Sequence, residues 1–179
     1  MNRPMPPSAE MITLVQPLIP ALRRYARALL RDREDADDLV QDVLERAIAR
    51  WQQRREAASV RAWLFTILHN LAMDRLRQGK RRGTTEPIDA LSEARLATPA
   101  RQDAGIVQGD VLAMIAALPE EQRSVMLLIG IEELSYAEAA VVLDVPVGTV
   151  MSRLSRGRER LRRMIAGDVT TRPALRVVS

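Results

Sequence analysis

The stretch LSYAEAAVVLDVPVGTVMSRLSRGRERLRRM, Leu134 to Met164, restricts what this chain can fold into more than any other. Ser135 is placed to cap a helix, and Glu138, three residues on, can reach back to the amide of the cap. Leu134, Ala139, Ala140 and Leu143 then supply a small-residue packing face. Pro146 cannot continue that helix because it has no amide hydrogen, but it suits the start of a new one. Gly148 is expected to let the two helical backbones approach closely. Along the second helix Val150, Leu154, Leu161 and Ile165 recur at helical spacing and are expected to face inward. Two helices joined by a tight turn make a candidate helix-turn-helix.

The outer face of the second helix carries Ser152, Ser155, Arg156, Glu159 and Arg163. Short hydroxyls can approach base edges, and the planar fork of Arg156 can meet a guanine, a contact that discriminates by roughly 1–3 kcal/mol. Arg153, Arg158, Arg160, Arg162 and Arg163 are better placed for phosphates. A solvated basic helix is the simpler account of any charge run. A capped helix, a Pro/Gly turn and a basic helix in this order point instead to DNA binding.

Hydrophobic residues make up 47% of the 179, yet aromatic residues only 3%. Cores must therefore be built from Leu, Val, Ile and Ala, which suits helices more than sheets, so the expected fold is all-α. The net charge of +4 is clustered and favours a polyanionic partner. The absence of cysteine excludes disulfides, thiolate nucleophiles and cysteine-ligated zinc, and fits a reducing cytoplasm. No run of about 18 apolar residues offers a membrane span, and the Met/Pro-rich start lacks a hydrophobic signal core. A soluble, cytoplasmic protein is expected.

Met1 to Ala9 reads as a loose arm. From about Gln16 to Leu30, Leu18, Leu22, Tyr25, Ala26 and Leu29 mark one helical face opposite Arg23, Arg24 and Arg27. Asp32 can cap the next helix, in which Ala36, Leu39, Val40, Val43, Leu44, Ala47, Ile48 and Trp51 hold the 3.6-residue period. Its other face is acidic, with Asp37, Asp38, Asp42 and Glu45, and Asp35 lies near the helix N-terminus; ordinary solvation and helix-end electrostatics account for that. After a polar loop at Gln52 to Ala58, Ser59 can cap a helix running to about Gln78, with Val60, Leu64, Ile67, Leu68, Leu71 and Leu76 inward. Trp63 reads as core. The lone His69 has no second histidine or cysteine beside it for a metal site and is expected on the surface. Arg75, Arg77, Lys80, Arg81 and Arg82 form a second basic cluster at a helix C-terminus.

Periodicity fails from Gly83 to about Gly105, which reads as a flexible linker between two small helical domains. Val111 to Leu118 reads as a further helix, and Pro119 opens another in which Val125, Met126, Leu128 and Ile129 pack inward. Thr170 to Ser179 reads as a frayed tail. No phosphate-binding glycine loop, metal-ligand cluster or nucleophile-base pair is present, so no cofactor, metal or catalytic residue is assigned.

DADDLVQDVLERA at Asp35 to Ala47, RAWLFTILHNLAMDRLR at Arg61 to Arg77, then ALPEEQRSVMLL and the helix-turn-helix, in that order and spacing, resemble extracytoplasmic-function (ECF) sigma factors of the bacterial sigma-70 family. The resemblance covers about Leu14 to Ile165. It implies a region 2-like domain over 10–82, a linker over 83–105 and a region 4-like domain over 106–167. It also implies that the acidic helix docks on core RNA polymerase, through Asp38, Gln41, Asp42 and Glu45. The N-terminal domain would recognise the minus-ten promoter element, with Asn70 near the strand and Arg77, Arg81 and Arg82 on DNA. A flipped base would sit at the loop Gln52 to Ala58, coupling recognition to melting. The recognition helix would read the minus-thirty-five element with Met151, Ser152, Arg153, Ser155, Arg156 and Arg158. Met151 departs from the basic residue common there, and Ser155 lacks an aromatic group, which leaves the promoter sequence open. The resemblance further implies control by an anti-sigma factor. Two other readings remain: a stand-alone helix-turn-helix regulator, and a sigma mimic that titrates an anti-sigma factor.

Overall fold

The computed structural model describes residues 8–30, 32–54, 59–81, 111 and 113–166, and among these the regular structure is helical. The first helix starts earlier than its periodicity suggests. Ser8 accepts a hydrogen bond from the Met11 amide at 3.2 Å and starts α1, Ala9–Val15, so Ala9 belongs to a helix and not to an arm. Residues 1–7 lie outside the described set. A 3₁₀ turn, Gln16–Leu18, takes Pro17 in its first turn, and α2, Ile19–Leu30, takes Pro20 as its second residue. Both prolines therefore occupy positions where their missing N–H would have had no intrahelical partner. The helix read from about Gln16 to Leu30 therefore begins at Ile19, its first three residues forming the 3₁₀ junction with α1.

Asp32 caps α3, Arg33–Arg50, by accepting from the Asp35 amide at 2.8 Å, and a 3₁₀ turn, Trp51–Gln53, ends it. Ser59 caps α4, Val60–Arg81, which runs three residues past Gln78. The faces of these helices close on one core. Leu22, Tyr25, Ala26 and Leu29 of α2 meet Ala36, Leu39, Val40, Val43 and Ala47 of α3 and Leu64, Phe65, Leu68 and Ala72 of α4. Each large apolar side chain buried there contributes about 1.5–3 kcal/mol. Phe65, the chain's one phenylalanine, packs edge-on to Tyr25 with ring centroids 5.4 Å apart.

The second bundle begins with a helical turn at 113–116, where Ile115 is buried, followed by the buried Leu118. Pro119 then caps α5, Glu120–Gly130, in which Ser124 to Leu128 are all buried. Helix α6, Tyr136–Leu143, carries the full capping box: Ser135 accepts from the Glu138 amide, and the Glu138 carboxylate accepts from the Ser135 amide. Helix α7, Val147–Ile165, follows. Between α6 and α7 the reversal is made by Asp144, at φ 51°, in the left-handed region that a short polar side chain tolerates.

Two expectations for this pair of helices fail. A Cβ added at Gly148 would meet nothing within 4 Å, so that glycine allows no close approach. The close approach lies at Gly157, where an added Cβ would stand 3.1 Å from Met126 Cγ. Ile165 is 60% exposed; beyond Leu154 the buried stripe runs through Gly157, with Leu161 and Met164 only partly covered. The two bundles themselves touch, α4 lying against α6 and α2 against α5.

Candidate nucleic-acid interface

Helix α7 buries Val150, Leu154 and Gly157, which leaves two adjoining strips on its outer side. Met151, Ser155, Arg158 and Arg162 form one strip; with Tyr136 and Leu154 they line a shallow surface groove. Ser152, Arg156, Glu159 and Arg163 form the other. Met151 is 54% exposed, and Ser152, Ser155, Arg156 and Arg158 are exposed as well. Ser152 donates its hydroxyl proton to the Thr149 carbonyl at 3.0 Å, a back-bond that settles its rotamer. Glu159 pairs with both Arg162 and Arg163 at 3.2 Å, which dilutes the positive charge toward the end of the helix. Arg153 differs from its neighbours: it is drawn to Glu121 of α5 at 3.1 Å and its side chain is only 22% exposed.

On α3 the acidic residues divide. Asp38, Gln41 and Glu45 form an exposed strip, with Gln41 Nε2 donating to Glu45 at 3.2 Å. Asp37 sits between Arg23 and Arg27 of α2. Asp42 pairs with Arg75 of α4 at 2.5 Å, and Arg75 also donates to the Asp35 carbonyl, so Asp42 helps join two helices. Part of the acidic face is thus internal bracing.

On α4, Asn70, Arg77 and Arg81 are exposed, and Arg77 pairs with Asp74 at 3.4 Å. Arg82 and the linker over 83–105 lie outside the described residues, as do 55–58 of the polar loop. Trp63 is partly buried and meets Trp51 edge-on at 6.0 Å, with the Arg54 guanidinium 4.2 Å from the Trp51 ring centre. His69 is buried, at 8% exposure, which corrects its expected surface position. Its Nδ1 lies 3.1 Å from the Tyr25 hydroxyl, and burial pushes its pKa down to about 4. Burial likewise raises Tyr25. A histidine inside a helical repeat titrates as its packing dictates, and the sequence alone does not show which face its helix buries.

Glu132 is the most consequential residue that sequence reading passed over. It lies between α5 and α6, is 1% exposed, and meets Arg24 through two hydrogen bonds of 2.7 and 2.6 Å. Nothing local distinguishes it from Glu133, its exposed neighbour. Among the described residues no group of three or more His, Asp and Glu could hold a metal, and no helix is long and apolar enough to cross a membrane.

The sequence matches the Sigma2 domain of PhyR over residues 15–69 and sigma-70 region 4 over residues 108–161. The ECF RNA polymerase sigma factor EcfG of Rhodopseudomonas palustris is 35% identical over 150 residues, spanning 84% of this chain and 82% of that protein. The chain belongs to the ECF sigma factor family. SigW of Bacillus subtilis, another ECF RNA polymerase sigma factor, is 30% identical over 147 residues, 76% of this chain and 79% of SigW. Among solved structures, the sigma factor RpoE of Bartonella quintana, in complex with the anti-sigma factor NepR, aligns with a TM-score of 0.75 at 30% identity. That alignment covers 90% of this sigma factor and 99% of RpoE. CnrH, in complex with the cytosolic domain of CnrY, aligns with a TM-score of 0.65 at 28% identity over 87% of each chain. The region 4 match contains α5, α6 and nearly all of α7, and the Sigma2 match contains α2, α3 and the first part of α4.

Proposed function

We propose that this ECF sigma factor is a dissociable specificity subunit that binds core RNA polymerase, recognises promoter DNA and starts transcription of a particular gene set in the cytoplasm. The observation that carries the reading is likeness to EcfG over most of both chains together with an exposed basic helix α7. In this reading the chain comprises a polymerase- and minus-ten-binding domain over 10–82, a linker over 83–105 and a minus-thirty-five-binding domain over 106–167. Asp38, Gln41 and Glu45 contact the polymerase, and Asp42 contributes from beside them while holding Arg75. Asn70, Arg77, Arg81 and Arg82 lie toward the minus-ten strand. Met151, Ser152, Ser155, Arg156 and Arg158 enter the major groove or flank it, and Arg153 serves through its link to α5. No residue is assigned a catalytic role, because bond formation belongs to the polymerase. RpoE and CnrH each occur in complex with another protein, RpoE with the anti-sigma factor NepR, which supports regulation of this chain by an anti-sigma factor.

The Sigma2 match is to PhyR, which also occurs as an anti-anti-sigma factor bound to NepR, and this favours the sigma mimic as the second reading. The exposed Arg156 and Arg158 weigh against it, since a mimic needs no DNA-reading face. Adding the full chain to core polymerase with fragmented host DNA separates the two. Discrete transcripts sharing two spaced upstream elements are expected. Capture of an anti-sigma factor with no transcript from any fragment would overturn the sigma reading in favour of the mimic.

A further inference from the structure

We infer that Glu132 is a clasp that holds the two bundles in a closed state, and that this state cannot engage a whole promoter. The inference rests on the sigma reading above for its consequence and on geometry alone for the clasp.

The Glu132 carboxylate comes from the C-terminal bundle, yet the cations that meet it belong to the N-terminal one. Arg24 of α2 donates from Nε to Oε1 at 2.7 Å and from Nη2 to Oε2 at 2.6 Å. Arg61 of α4 stands 3.8 Å from Oε2 and donates a hydrogen bond to the Glu132 backbone carbonyl. One residue is therefore gripped by two helices of the other bundle. The turn is shaped to present it: the Glu132 amide donates back to the Leu127 carbonyl at 2.9 Å, and Glu133 takes a left-handed φ of 53°, which a glutamate adopts only when its surroundings require it. A carboxylate 1% exposed is tolerable only with its cations in place, so the geometry of Glu132 makes sense in the closed arrangement and loses its partners on opening. Because opening rehydrates all three charges, the clasp is separable in a way that an apolar seam of the same size is not.

The closed state is short. Elements centred near minus ten and minus thirty-five lie about 25 base pairs apart, which at about 3.4 Å each is roughly 85 Å. Helix α7 has 19 residues, about 28 Å, and its bundle lies directly against α4 through α6. The two DNA-reading helices cannot reach both elements until α6 leaves α4. Apparent affinity for polymerase and promoter is then the intrinsic affinity reduced by the open fraction.

The chain contains no cysteine, so single cysteines at the exposed Glu34 and Arg160 allow two dyes to be attached to the full-length protein without further substitution. Single-molecule energy transfer reads the open fraction. Glu132→Gln keeps shape and removes charge, and should raise the open-to-closed ratio roughly tenfold. Arg24→Gln leaves the carboxylate buried with only Arg61 at 3.8 Å, and should raise the ratio at least as much. The double variant should exceed Glu132→Gln by little, because both act on one contact. Polymerase binding should tighten in the same order. Unchanged energy transfer in Glu132→Gln, or fully additive effects, would overturn the clasp. Were Glu132→Gln to fail to fold by circular dichroism, Arg24→Gln decides the matter, and no opening in it overturns the clasp. The energy-transfer readout needs no polymerase: an opened variant that still bound no polymerase would count against the sigma reading and leave the clasp standing.

Discussion

Acidification from pH 7 to pH 5 should weaken this fold through His69. The ring is 8% exposed between α2 and α4, and burial lowers its pKa from 6.5 to about 4. Glu120 works against that shift, while Arg153 and Arg77 add to it. Above pH 6.5 the folded and unfolded chains both carry a neutral ring, and His69 leaves stability independent of pH. Between pH 6.5 and 4 the unfolded chain takes up a proton that the folded chain refuses, so stability falls as pH falls. Below pH 4 both are protonated and the loss levels off. Linkage sets the loss at about 2 kcal/mol by pH 5 and about 3 kcal/mol at its limit. Carboxylates titrate over part of the same range, so the assay must compare two proteins. Urea unfolding of the wild type and of His69→Gln at pH 7, 6 and 5 does so; the glutamine amide can still meet the Tyr25 hydroxyl but does not titrate. The stability advantage of the wild type over the variant should shrink by about 2 kcal/mol from pH 7 to pH 5. A gap that stayed constant to within about 0.5 kcal/mol would show that His69 is protonated as easily in the fold as out of it, and that burial does not control its titration.

Other substitutions test separate parts of the structure. Gly157→Ala should cost about 1 kcal/mol in denaturant unfolding despite the better helix propensity of alanine, because the new methyl meets the buried Met126 side chain at 3.1 Å. Gly148→Ala meets nothing and should stabilise by up to about 1 kcal/mol, so equal effects at the two sites would refute the packing at α7. Asp38→Arg should weaken polymerase binding in a pull-down with core enzyme and leave stability unchanged. Asp42→Arg should in addition lower stability by about 0.5–1 kcal/mol as Arg75 loses its partner, and polymerase binding unaffected by either would remove the acidic face from the interface. Arg156→Ala should relax promoter choice at one upstream base by about 1–3 kcal/mol in binding assays across promoter variants, whereas a uniform loss would make it a phosphate contact.

Local chemistry was legible wherever it acts over a few residues. The Ser135/Glu138 capping box, the Asp32 cap and the Ser59 cap each appear where a side chain can reach its own helix end, and the α3 stripe from Ala36 to Ala47 follows from helical period alone. The Ser8 cap was not legible, because α1, Ala9–Val15, is a seven-residue helix, too short to show a helical period that would mark where it starts. Sequence pattern placed the turn between α6 and α7 at Pro146 and Gly148, whereas the residue that turns the chain is Asp144, whose tolerance of left-handed backbone is a weaker signal than a proline or glycine.

Helix positions, caps, the all-α character, and the order of motifs that marks an ECF sigma factor belong to the sequence by itself, since each depends on spacing along the chain. Which glycine admits a neighbour, whether the one histidine is solvated, whether Asp42 faces out or braces Arg75, and which of two adjacent glutamates is buried were decided only by tertiary structure. The reason is common to all four. Each depends on what a second helix, tens of residues away in sequence, brings to within about 4 Å. Arg24 and Glu132 stand 108 residues apart in sequence and 2.6 Å apart in space, and no periodicity along either helix encodes that meeting.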